Sequence, residues 1–280
     1  MTIVISLVNM KGGVGKSTIT ANLASQYSAY PKWSKKVLVV DLDPQFNVSQ
    51  YLLGADRYEK EVYDPGKPTI WDIFEQNTKV PGKGITKVVP NQVIKKVKDF
   101  NQAGRIDLIP SRLELAYTLK NPAQKEYLLS DFLTNVKSEY DIIIIDCPPT
   151  ESLLTTSAYL SSDYILVPVK PEFLSMIGLP LLARSVRDFY SQYQKKVDVT
   201  GIVFNDTSNY SPEEVNSKNE VMQEAAKQGW YVFTKEIKTS RSYPRGAREG
   251  KPIFSTTNAH NKVALQFHDF AEELALRIKL

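Results

Sequence analysis

Short apolar runs alternate along this 280-residue chain with longer stretches in which apolar residues recur every three or four positions. The runs fall at residues 3–8, 37–40, 106–109, 142–145, 165–169 and 202–204. Each is rich in valine and isoleucine and mostly apolar on both faces, as parallel strands buried between two layers must be. The amphipathic stretches fall at about 16–29, 122–138, 179–193 and 212–228, long enough to carry right-handed crossovers between such strands. The pattern predicts an α/β fold with a mostly parallel, twisted β-sheet flanked by helices. It breaks between about 54 and 105, where Pro65, Pro68, Pro81 and Pro90 accompany several glycines and the lysines Lys79, Lys83, Lys87, Lys95, Lys96 and Lys98. This stretch reads as an elaborated connection with a short helix near 69–76, inside a single domain spanning 1–280.

The first apolar run is followed by Asn9-Met10-Lys11-Gly12-Gly13-Val14-Gly15-Lys16-Ser17-Thr18, and then by the helical spacing of Ile19, Leu23 and Tyr27. A strand, a glycine turn and a helix start are the parts of a phosphate cradle. Gly12, Gly13, Val14 and Gly15 let backbone N–H groups converge on phosphates. Lys16 is placed to reach the β- and γ-phosphates, and Ser17, with Thr18 beside it, to ligate Mg²⁺. ATP and Mg²⁺ are therefore the expected cofactors.

Two further runs end in carboxylates. Val37-Leu38-Val39-Val40 leads into Asp41-Leu42-Asp43-Pro44-Gln45, two acids that share one side of an extended chain. A carboxylate beside a γ-phosphate can position and polarise the attacking water; an Asp-Pro turn capping the next helix is the plainer alternative for the second acid. Ile142-Ile143-Ile144-Ile145 ends in Asp146, where P-loop proteins hold the magnesium shell. After another run, Asn205 offers a donor and an acceptor that suit an adenine edge, or simply forms a turn.

The ordinary phosphate-loop consensus has glycine at the position occupied by Met10, whereas this chain reads K-G-G-x-G-K-[ST]. At these residues it resembles the ParA/MinD group of deviant P-loop ATPases, and within that group the ParA/Soj-type partition ATPases. The resemblance continues through Asp163–Val169 and Pro171–Leu179. It implies that Lys11 reaches the nucleotide of a partner subunit, that Asp43 activates water, and that Asp41 supports the metal and lysine network together with Ser17 and Asp146. Phe46 departs from the glycine common in the group, which puts the local loop geometry in doubt.

Composition then separates branches of that group. The single cysteine, Cys147, cannot hold an iron–sulfur cluster. The C-terminal stripe Val263, Phe267, Phe270, Leu274, Ile278, flanked by Asp269, Glu272 and Glu273, reads as core packing and not as the basic membrane tail of MinD-like proteins. No apolar run is long enough to span a bilayer, so the expectation is a cytoplasmic, nucleoid-associated protein with no membrane partner. The formal charge is +4, yet residues 227–251 hold seven basic side chains against two acidic ones, leaving the rest of the chain at −1. Arg241, Arg245, Arg248 and Lys251, in a loop, are the candidates for contacts to a DNA backbone; an ordinary solvated basic loop is the alternative.

The resemblance thus implies an ATP hydrolase that forms an ATP-dependent sandwich homodimer, binds DNA without sequence preference, and drives plasmid or chromosome partition when a ParB-like adaptor stimulates hydrolysis. The alternative is a MinD-like or cargo-positioning ATPase switch acting on a protein or membrane surface.

Overall fold

The computed structural model describes residues 2–64, 66–76, 88–100, 103–172, 175–208, 210–256 and 261–280, with backbone alone for 175–177 and 261. Pro65, Lys79, Pro81, Lys83, Lys87, Phe173 and Leu174 lie outside the described residues. The elements run β1 (Ile3–Leu7), α1 (Lys16–Ala29), β2 (Lys36–Asp41), α2 (Asn47–Leu53), α3 (Ala55–Tyr58), α4 (Ile70–Glu75), α5 (Pro90–Val93), β3 (Lys95–Asp99), β4 (Arg105–Ile109), α6 (Leu115–Thr118), α7 (Leu128–Val136), β5 (Ile142–Asp146), α8 (Leu153–Ser161), β6 (Tyr164–Val169), α9 (Ser175–Tyr193), β7 (Asp198–Thr207), α10 (Pro212–Gln228), β8 (Ile237–Lys238), α11 (Ser242–Glu249) and α12 (Asn261–Ile278).

The strands form an eight-stranded sheet in the order β3-β4-β2-β5-β1-β6-β7-β8, parallel throughout except for β3 against β4. The uniform apolarity of the central runs has a direct cause: each strand feeds two cores. Val4, Leu38, Val40, Ile143 and Ile145 face one layer with Phe132, Leu154, Leu182 and Val221 of α7, α8, α9 and α10. Ile5, Leu7, Val37, Val39, Ile142 and Ile144 face the other, with Leu23 and Tyr27 of α1 and Phe267, Phe270 and Leu274 of α12. The C-terminal stripe is therefore internal: Phe267, Phe270 and Leu274 are fully buried, and the Tyr27 hydroxyl donates to the Ala271 carbonyl at 2.9 Å. Among the described residues no helix is long and apolar enough to cross a membrane.

Of three local expectations, two shift and one is met. The helix expected over 122–138 begins only at Leu128, after a turn in which Gln124 has φ +61°. The short helix near 69–76 is present as α4, opened by a capping box in which Thr69 and Asp72 exchange hydrogen bonds. The basic segment expected as a loop contains the helix α11. Pro244 sits in the first turn of α11, where no intrahelical N–H is required. Gly246 sits where a Cβ would come within 2.5 Å of the Lys251 carbonyl oxygen and 3.1 Å of the Tyr51 hydroxyl. Pro244 and Gly246 are thus placed where a helix tolerates one and the packing requires the other.

The sheet ends differently on its two sides. β3 carries Lys95, Lys96 and Lys98 and is interrupted by a register shift between Lys96 and Lys98, while β8 contributes two residues. All parallel strands point their C-terminal ends at one rim. Because α1 leaves β1 for one face and α8 leaves β5 for the other, a crevice opens at that rim.

Ile144 lies fully buried at the middle of β5, between β1 and β2. Ile144→Ala is expected to lower unfolding free energy by about 2–5 kcal/mol, through the transfer energy of the missing methyl groups and the cavity left behind, as measured by urea denaturation.

Candidate nucleotide site

The loop between β1 and α1 is shaped by glycine where nothing else fits. Gly15, immediately before α1, has φ +90°, and a Cβ there would lie 2.2 Å from Asn205 Nδ2. That amide belongs to β7 and donates to the Val14 carbonyl at 2.8 Å, tying the loop to a strand two places away in the sheet. Asn205, expected at an adenine edge, thus first serves as a brace for the loop. Lys16 is the first residue of α1. Its ammonium donates to the carbonyls of Asn9 (3.2 Å) and Lys11 (3.3 Å). Burial lowers its pKa, opposed by the nearby Asp146, Cys147 and Asp43. The buried Cys147 thiol is pushed up, chiefly by desolvation, and is a packed core residue.

The three acids divide the work. Asp41 and Asp146 are register partners at the ends of β2 and β5, and both are fully buried. Asp41 Oδ2 accepts from the backbone N–H (3.0 Å) and hydroxyl (2.6 Å) of Ser49, and its Oδ1 from the N–H of Asp43 (3.1 Å). Asp41 therefore spends its carboxylate on fixing the turn between β2 and α2. Asp41, expected in the metal and lysine network, is met here by three donors in a site closed to solvent, beside Asp146. Asp146 differs: the Thr20 hydroxyl donates to Oδ1 at 3.5 Å, but Oδ2 is buried without a hydrogen-bond partner among the described residues. Desolvation raises the pKa of Asp146, and hydrogen bonding from Ser17 with the charge of Lys16 opposes this. A buried carboxylate oxygen with an open lone pair beside a serine hydroxyl fits a hard cation such as Mg²⁺. Among the described residues no group of three or more His, Cys, Asp and Glu could hold a metal, so such an ion must bring most of its ligands with the phosphates.

Asp43 reaches the cavity. Its Oδ1 accepts from the Gln45 N–H at 2.9 Å, the Asp-Pro turn that was the plainer alternative for this residue. Burial raises its pKa, with the Gln45 N–H and Lys16 pulling down. The turn continues into Phe46, which has φ +48° and stacks on Tyr58 at 5.0 Å. A left-handed residue here explains why glycine suits the position, and the stacking explains how phenylalanine holds it.

A cavity of about 780 Å³ lies over these elements. Gly12 to Thr18 line one side, Asp43, Gln45, Gln50 and Tyr51 another, and Pro149 with Ala247 and Arg248 complete it. Of the four expected DNA contacts, Arg248 is therefore at the nucleotide cavity. Arg245 and Lys251 both pair with Glu249, at 2.6 and 3.1 Å, and Arg241 is exposed just before α11. Lys11 pairs with Glu172 at 2.9 Å, and Lys170 bridges Glu172 (2.7 Å) to Asp206 (3.0 Å). Sequence reading passed over Ser49 and Tyr51, and placed Glu172 only within the stretch Pro171–Leu179 without a partner for it. A serine in the first turn of a helix behind an acidic strand end was a usable signal for the first; the other two depend on distant partners.

Strand order, phosphate loop and acidic strand ends define a P-loop nucleotide hydrolase. Residues 2–199 match the family model described as an AAA domain. The chain is 30% identical over 281 residues to the sporulation initiation inhibitor protein Soj of Bacillus subtilis, covering 97% of this chain and 98% of that one. It is 28% identical over 205 residues to the chromosome partitioning protein ParA of Caulobacter vibrioides, covering 71% and 68%. In fold it is similar to the ATP complex of McdA from Cyanothece, with a TM-score of 0.79 at 19% identity over 98% of this chain and 96% of that one. The chain belongs to the ParA/Soj-type ATPases of the deviant P-loop family.

Ser49 holds two elements at once, since its hydroxyl donates to Asp41 and accepts from the Ser111 N–H at 2.9 Å. Ser49→Ala leaves a buried carboxylate and a buried N–H short of partners. It is expected to cost about 1–3 kcal/mol in chemical denaturation.

Proposed function

We propose that this chain binds ATP with Mg²⁺, hydrolyses it to ADP and phosphate, dimerises in the ATP state, and binds DNA without sequence preference to drive partition of plasmid or chromosomal DNA. The observation that carries this reading is one cavity in which the phosphate loop, Asp43 and a basic helix meet.

In this reading, N–H groups of Gly12 to Thr18 receive the phosphates and Lys16 moves from the carbonyls of Asn9 and Lys11 to the β- and γ-oxygens. Ser17 and Asp146 would hold Mg²⁺, which when bound would neutralise charge on those phosphates. Asp43 orients the attacking water and accepts its proton, its raised pKa making it a better base than a solvated carboxylate. Asn205 meets the adenine edge through its remaining amide oxygen while keeping Val14 in place.

Lys11 completes the site of a partner subunit. To do so it must leave Glu172, an exchange that costs little because the pair is partly exposed. A ParB-like adaptor, by supplying what the isolated site lacks, accelerates hydrolysis and returns the protein to the free state. The relatives named for chromosome partitioning and for Soj support this assignment; the cellular place it implies is the nucleoid.

Two outcomes test it. Asp43→Ala should lower ATP turnover by roughly a hundredfold or more and accumulate an ATP-bound dimer in light scattering; normal turnover removes Asp43 from the mechanism. Wild-type protein should bind unrelated DNA sequences alike with ATP and weakly with ADP, in a salt-sensitive way. Joint replacement of Arg241, Arg245 and Lys251 by alanine should flatten the slope of log K against log salt by roughly 0.9 for each DNA phosphate that the variant no longer neutralises. Absence of DNA binding in every nucleotide state would instead favour a switch acting on a protein or membrane surface.

A further inference from the structure

Arg248 does not share the surroundings of the other basic residues in its segment. Arg245 and Lys251 both pair with Glu249. Arg248 lies on the same helix, lines the cavity that holds Gly12 to Thr18, and has no carboxylate partner among the described residues. Two neighbouring contacts fix where its helix stands. Gly246 packs its backbone against the Tyr51 hydroxyl, too close for a Cβ. That hydroxyl accepts from Asn22 Nδ2 at 3.1 Å and donates to the Lys251 carbonyl at 3.1 Å, while Asn22 Oδ1 accepts from the Ile253 N–H at 2.7 Å. Asn22 is on α1, the helix that begins with Lys16 and Ser17. One side-chain network therefore indexes α11 to the helix whose N-terminus faces the phosphates.

We propose that Arg248 is a nucleotide-binding residue, its guanidinium engaging the anionic chain of a nucleoside di- or triphosphate seated on the phosphate loop, and that it is not a DNA contact. An unpaired guanidinium presents five donors in a fork suited to phosphate oxygens. Among the described residues lining this cavity the one other cation is Lys16, at the start of α1, so a polyphosphate seated there would meet Lys16 from the loop and Arg248 from the basic helix. The ligand would then bridge two elements that are more than two hundred residues apart in sequence. The basic helix would be held by the nucleotide itself as well as by Tyr51.

This inference rests on the nucleotide-binding reading above, and calorimetric titration with ADP and magnesium separates the two. Wild-type protein that takes up neither ADP nor ATP overturns both. If wild type binds, Arg248→Ala should raise the Kd for ADP by roughly tenfold to a hundredfold, the effect expected on removing a charge-assisted hydrogen bond. Arg248→Lys, which keeps the charge and gives up the fork, should fall between the two. Lys227→Ala, which removes an exposed charge from α10, controls for net charge and should bind as wild type does. Because Arg248 is exposed at the rim, its replacement should leave the thermal unfolding midpoint in place; the lysine variant gives a second reading should the alanine variant unfold. Affinity for ADP within roughly twofold of wild type in the folded Arg248→Ala protein, whatever happens to DNA binding, overturns the proposal and returns Arg248 to the DNA-facing set.

Discussion

Two carboxylates placed side by side in a dry strand end set the terms for everything around them. Asp41 and Asp146 are register partners on β2 and β5, with no solvent at either. Buried charge must be met by donors or by opposite charge, and the protein uses one answer for each acid. Asp41 is met by the turn that follows it, which is thereby forced into one shape and presents Asp43 to the cavity. Asp146 is met only in part, by hydroxyls of α1 and by the charge of Lys16. The unmatched remainder sits below a loop built to attract phosphate, and carboxylate and phosphate repel. In the proposed function a divalent cation would reconcile them, so that a deficit left in the fold would favour a metal-bearing ligand.

Much of this was legible because its carriers are contiguous. A strand, glycine loop and helix in unbroken sequence fix the phosphate cradle, and runs apolar on both faces announce a sheet covered twice. The roles of Asp41 and Asp43 were harder to separate. Two acids at i and i+2 share a side only while the chain stays extended, and β2 ends at Asp41. Beyond it the backbone turns, so one acid faces inward and the other faces the cavity. α11 was hidden for a related reason. Proline and glycine normally mark loops, and their tolerance here depends on a position in the first turn and on Tyr51, some two hundred residues upstream. The pairing of Lys11 with Glu172 is likewise invisible in one dimension.

The basic segment shows why charge counted along a sequence and charge displayed in space are separate quantities. The excess in residues 227–251 is real, but Glu249 holds Arg245 and Lys251, and Glu236 takes Lys218 and Lys238. What remains free is fewer cations in more distinct places, one near the rim of the nucleotide cavity. The network of Asn22, Tyr51 and Lys251 makes that placement depend on the phosphate-loop helix, so the basic helix and the hydrolytic machinery share one mechanical frame.

The two borders of the sheet carry a different kind of meaning. A strand with unpaired amides is a template for another chain, and long flat borders invite fibres. Here one border is a lysine-studded strand with a register break, and the other is two residues long. Both are poor templates for strand addition. For the ATP-state dimer proposed above, the helical faces and the rim of the cavity are the surfaces that remain, so that assembly and ligand occupancy would be read on the same surface.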